Sequence, residues 1–115
     1  MSHSAWLLRD TEVLAALEVA DSFRERTKGL LERDSLCGAI LLRPARSVHS
    51  LGMRFPIDVA FCDREMTVLR LITLRPERLA RPTLGCRCVI EAEAGAFARW
   101  RLAVGDHLEV RDVDD

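Results

Sequence analysis

The chain has 115 residues, 49% of them hydrophobic and 30% charged, with a formal net charge of −1. That is enough for a single hydrophobic core of ordinary composition. No apolar run approaches the roughly 20 residues a membrane helix requires, and a near-neutral, aromatic-poor domain lacks the basic footprint of a nucleic-acid binder. The N-terminus meets Arg9, Asp10 and Glu12 before any long apolar stretch, unlike a signal peptide. The expectations are therefore a cytoplasmic protein with neither nucleic acid nor membrane as partner, and with Cys37, Cys62, Cys86 and Cys88 as reduced thiols. The 16 arginines against a single lysine, Lys28, fit a GC-rich genome. Charge is nevertheless uneven. Residues 43–87 carry nine basic and four acidic side chains, +5, between acidic flanks of −2 and −4. Such a centre suits an anionic partner, or the basic middle simply lies beside the acidic ends.

In chain order, residues 13–20 (VLAALEVA) read as a strand. Ser22 and Glu25 form a capping-box pair and predict a helix over 22–33, with Phe23, Thr27 and Leu30 or Leu31 toward the core. Gly38–Leu42 is a short buried run stopped by Arg43-Pro44. Ser47–Met53 reads as a further strand, and Pro56 forces extended or turn geometry on Phe55. Ile57, Val59 and Phe61 alternate with Asp58, Ala60 and Cys62, the period of a half-buried strand. Asp63-Arg64-Glu65 makes a hairpin turn into a return strand, Met66–Leu74. Arg75–Gly85, with two prolines, is predicted to be an ordered surface loop. Cys88–Ala92 is a strand, Ala94–Leu102 a short helix, and Gly105-Asp106 turns into a last strand, His107–Arg111. Many short strands with one clear helix predict a single, mainly β (α+β) domain, jelly-roll-like or barrel-like, spanning residues 1–115.

Four segments together carry a resemblance: the helix segment Arg24–Arg33; His49 through Asp58 and Phe61, with Met53-Arg54 and Pro56-Ile57-Asp58 inside it; Glu91 with Ala94-Gly95; and Val104-Gly105-Asp106. In order and spacing the chain resembles the DUF192 family of small prokaryotic domains, whose members have no assigned biochemical role. It departs from the family pattern at Leu51-Gly52, where many members place an aromatic before the Met. The 63–66 turn lacks the usual Gly, and Ile90 stands where Leu is common. The resemblance implies a compact β-rich domain with one packed helix, and supplies no catalytic mechanism.

The residues with chemical potential are Arg26, Arg33, His49, Arg54, Asp58 and Glu91. His49 near Asp58 suits a general base or a metal ligand; alternatively Asp58 accepts backbone N–H groups at the Pro56 turn or pairs with a core arginine. Arg26 and Arg33, seven apart on the predicted helix, share a face. With Arg54, Asp58 and Glu91 they form either a buried arginine–carboxylate lock or an anion pocket. Cys86 and Cys88 supply only one of the two ligand pairs expected of a structural zinc site. No C-x-x-C points to redox chemistry, and no Walker, H-E-x-x-H, G-x-S-x-G or G-x-G-x-x-G motif occurs. No metal or other cofactor is expected. The reading favoured is a non-enzymatic binding or accessory module for a small anionic ligand or a protein partner. The alternative is a small hydrolase or lyase acting on an anionic molecule, with His49 or Asp58 as base and Arg54 or Arg26 as anion holder.

Overall fold

In the computed structural model, residues 3–21 and 36–113 are described. Seven strands, β1 (His3–Arg9), β2 (Glu12–Ala20), β3 (Ala39–Leu42), β4 (Ile57–Cys62), β5 (Val68–Leu74), β6 (Cys88–Glu93) and β7 (Leu108–Asp112), with one short helix, α1 (Ala96–Trp100), make the described part mainly β. They form one sheet in the order β5-β4-β6-β3-β2-β1-β7. β1 is not among the elements predicted from sequence; it pairs antiparallel with both β2 and β7. The expected helix 22–33 lies outside the described residues. The topology does call for a crossover there. β2 and β3 pair in parallel, and parallel neighbours need a connection of a dozen or more residues, which residues 21–38 provide. Gly38 ends that connection at φ +82°, where a Cβ would stand 2.7 Å from the Ala16 carbonyl oxygen, so only glycine fits.

The sheet is not closed, so it is barrel-like only loosely, but it curls until its edges are stitched at one end. Val68 N–H donates to Asp106 O at 2.9 Å, Gly105 N–H to Val68 O at 2.8 Å and Leu108 N–H to Met66 O at 3.0 Å. Ala5, Leu7, Leu17, Val19, Leu41, Ala60 and Ile90 fill the concave side, closed by Phe97 and Leu102 around α1. Ile40, Leu42, Ile57, Val59, Phe61 and Val89 form a second core on the other side, under Leu36, Met53 and Ala80.

Two sequence expectations fail for identifiable reasons. β4 is buried at all six positions rather than half-buried: it lies between β5 and β6, with a core on each face, so Asp58, Ala60 and Cys62 are as enclosed as Ile57 and Val59. Ser47–Met53 is not a strand; only His49 bridges, to Leu79. The segment instead wraps around fully buried Ser50. The Ser50 hydroxyl donates to Arg75 O at 2.5 Å and accepts from Arg78 N–H at 2.9 Å, while its carbonyl accepts from Glu77 N–H at 3.0 Å. Side-chain and turn hydrogen bonds thus replace a ladder, tying loop 43–56 to loop 75–87.

Candidate functional site: an arginine-flanked groove over paired thiols

Strand direction brings the site together. β3 is parallel to β2 and antiparallel to β6, and β6 is antiparallel to β4. The C-terminal ends of β2, β3 and β4 and the N-terminal end of β6 therefore meet at one end of the sheet. They place Asp21, Arg43, Pro44, Asp63, Arg64, Met66, Arg87 and Cys88 around a groove of about 440 Å³. A neighbouring cavity of about 580 Å³ shares Arg87 and adds Arg46, Leu84 and Cys86. The walls are pinned by backbone bonds: Arg43 N–H to Ala20 O at 3.1 Å, Ala45 N–H to Arg87 O at 2.9 Å and Arg87 N–H to Cys62 O at 2.8 Å.

The two acids of the groove are already engaged. Asp21 accepts from Arg43 Nε at 2.7 Å, and Asp63 Oδ1 accepts the N–H groups of Glu65 and Thr67, each at 2.9 Å, closing the β4–β5 turn. Arg64 and Arg87 are exposed, and their guanidinium groups have no hydrogen-bond or ion-pair partner among the described residues. The floor is sulfur. Cys62 and Cys88 stand directly opposite each other on β4 and β6, and Cys88 Sγ lies 3.4 Å from Met66 Sδ. The neighbouring Cys62 thiol holds the Cys88 thiol below its usual range, helped by the Arg43 charge and opposed by burial and the Asp63 carboxylate. The adjacent Cys88 sulfur, then burial, pushes Cys62 up. Cys86 points elsewhere; its thiol donates to Cys88 O at 3.2 Å, and burial raises it. Among the described residues no group of three or more His, Cys, Asp or Glu side chains is arranged to hold a metal.

The residues singled out from sequence do not share this groove. Arg26 and Arg33 lie outside the described residues. Asp58, buried on the concave side, accepts from Thr73 Oγ1 at 2.8 Å, Gly95 N–H at 2.9 Å and Phe97 N–H at 3.1 Å. The N-cap of α1 is Gly95, which has no side chain, and its first turn carries no acid, so a carboxylate from β4 satisfies the orphan N–H groups. Glu91 pairs across the sheet with Val59 and Ile40. Opposed residues share a face and successive ones alternate, so Glu91 points to the opposite side from Asp58. It is 3% exposed, its carboxyl has no hydrogen-bond or ion-pair partner among the described residues, and burial alone pushes its pKa up to about 7. His49 is exposed in its loop, where its Nδ1 accepts from Leu51 N–H at 3.2 Å, and Arg54 is exposed in the same loop. Sequence reasoning missed Arg64, Arg87 and the Cys62–Cys88 pairing. The excess positive charge of residues 43–87 was the available signal for the first two.

The fold is thus an open, curled, mainly β sheet plugged at one end by a short helix, with strand ends and loops forming a groove at the other. A Novosphingobium aromaticivorans protein of unknown function shares it with a TM-score of 0.75 at 19% identity, covering 92% of this chain and 83% of that one. A Sinorhizobium meliloti protein described as a candidate transcription regulator shares it with a TM-score of 0.79, also at 19% identity, covering 96% and 94%. At such identities the likeness is one of fold alone. Residues 7–110 match the model of DUF192, described as an uncharacterized ACR, and the chain belongs to this family. A UPF0127 protein of Pyrococcus abyssi is 34% identical over 98 residues, 81% of this chain and 84% of its own. No described helix is long and apolar enough to cross a membrane.

Proposed function

We propose that the protein is a non-enzymatic binding module whose groove receives a small anionic ligand, a phosphate or carboxylate compound. One observation carries this reading: Arg64 and Arg87 flank a groove whose acids are already occupied by Arg43 and by a turn. A guanidinium with free donors is suited to a planar or tetrahedral oxyanion. The enzymatic alternative has less support. All three donors on Asp58 come from structural groups, and His49 is engaged with its own loop.

The test is calorimetric titration of the protein with inorganic pyrophosphate and with citrate. Saturable binding of either, abolished by Arg87→Glu or Arg64→Glu in variants that melt like the parent, is expected. No binding of either compound, or binding unchanged in both variants, would overturn the reading.

A further inference from the structure

The thiol pair under the groove is not needed for anion binding, and its geometry has a chemistry of its own. Cys62 and Cys88 are directly opposed on neighbouring antiparallel strands. Opposed residues in such a ladder have Cα atoms about 4.5–5.5 Å apart, inside the roughly 4.4–6.8 Å that a disulfide spans. Their Cβ atoms need to approach by no more than about 1–2 Å. The two sulfurs differ in access. Cys62 is 0% exposed and Cys88 5%, and of the two only Cys88 lines the groove. They also differ in acidity: the neighbouring Cys62 thiol and the Arg43 charge lower Cys88, against burial and the Asp63 carboxylate, whereas Cys62 is raised. A thiol of lowered pKa directly opposite a second thiol is the arrangement of a redox-reactive pair.

We propose that Cys88 and Cys62 form a peroxide-reactive dithiol, with Cys88 as the attacking sulfur and Cys62 as the resolving one. The oxidant is hydrogen peroxide entering by the groove. Cys88 Sγ attacks the peroxide; an S–O bond forms, the O–O bond breaks, and hydroxide leaves and takes up a proton as water. The resulting sulfenic acid is attacked by Cys62 Sγ. The S–S bond forms, the S–O bond breaks, and the Cys62 proton departs with the hydroxyl as a second water. Two thiols and one peroxide yield one disulfide and two waters. The absence of a C-x-x-C motif does not bear on this pair, because its partners come from different strands. Met66, whose sulfur touches Cys88, is the neighbouring group next in line for oxidation.

The test uses the whole protein and the distribution of its arginines. Cleavage after arginine, except before proline, puts the four cysteines on four peptides: Cys37 on 34–46, Cys62 on 55–64, Cys86 on 79–87 and Cys88 on 88–99. The reduced protein is treated with one equivalent of hydrogen peroxide, blocked with N-ethylmaleimide, digested and weighed. A cross-linked pair of 55–64 with 88–99, lighter by two hydrogens than the separate peptides and cleaved by a reductant, is expected, with Cys37 and Cys86 alkylated. In Cys62→Ser, dimedone is expected to trap a sulfenic acid on Cys88. Oxidation of Cys37 while Cys62 and Cys88 stay alkylated would overturn the proposal. So would a bridge through Cys86, or stoichiometric zinc or copper that shields both thiols in the purified protein. The parent protein alone decides the cross-link, so a poorly folded variant does not shelter the idea. Arg64→Glu and Arg87→Glu, which remove anion binding, are expected to leave the cross-link formed, so the two readings fail separately.

Discussion

The two sides of the central strands each hold a buried acid, and the two acids live under opposite rules. On the concave side, Asp58 meets three donors, two of them orphan N–H groups of α1. On the other, Glu91 is enclosed by the apolar layer and meets none among the described residues. One carboxylate organises the structure around it; burial pushes the other toward its neutral form. Burial alone therefore does not define the role of an acid. The donors that the tertiary structure brings to it do.

The largest expected effect comes from breaking the first side. Asp58→Ala strands the Gly95 and Phe97 N–H groups and removes charge-assisted bonds worth about 1.5–3 kcal/mol each, not additively. A loss of about 3–5 kcal/mol in urea denaturation is expected, with α1 loosened. Unchanged stability would show that α1 caps itself without β4.

The second prediction sharpens the contrast through pH. The pKa of Glu91 is raised on folding from 4.5 to about 7. Its contribution is therefore fully favourable below about pH 4.5, is lost as pH rises to about 7, and stays lost above that. At 1.36 kcal/mol per unit the span is about 3 kcal/mol. Glu91→Gln should flatten the fall between pH 5 and 7 and melt above the parent at pH 8. A parent whose stability rises through that interval by an amount unaffected by Glu91→Gln would refute the assignment.

Two smaller effects compare the closed end of the molecule with the groove end. Arg9 ties β1 to the far side of α1, donating to Trp100 O at 2.6 Å, Arg101 O at 3.0 Å and Asp106 Oδ2 at 3.0 Å. Arg9→Ala should cost about 1–2 kcal/mol, read by thermal unfolding. The Arg43–Asp21 pair at the groove is about 43% exposed on both side chains. Arg43→Ala should cost less than about 1 kcal/mol, while the same variant should slow alkylation of Cys88. Equal losses for Arg9→Ala and Arg43→Ala would erase the distinction between a structural end and a binding end.

Local sequence signals carried much of the strand layout. The apolar runs of β2 and β3, the turn at Asp63 and the return strand β5 follow from period, turn residues and Pro or Gly stops, which act over a few residues. The same applies to α1, within two residues at each end. The family segments located the chain among its relatives because order and spacing survive without coordinates. What escaped was whatever depends on which strand lies beside which. β1 gains its place by pairing with β7, more than 100 residues away at its outer end. β4 looked half-buried because alternation reports one core, and the fold supplied two. Asp58 and Glu91 looked like members of one cluster until parity across the β4–β6 register put them on opposite faces. Cys62 and Cys88, 26 positions apart, became a pair, and Arg64 and Arg87 became neighbours, because three parallel chain ends and one antiparallel start meet at the same edge. Periodicity is written in neighbouring residues. Register and strand order are set by long-range hydrogen bonds and the burial of whole faces, and these exist only once the sheet has formed.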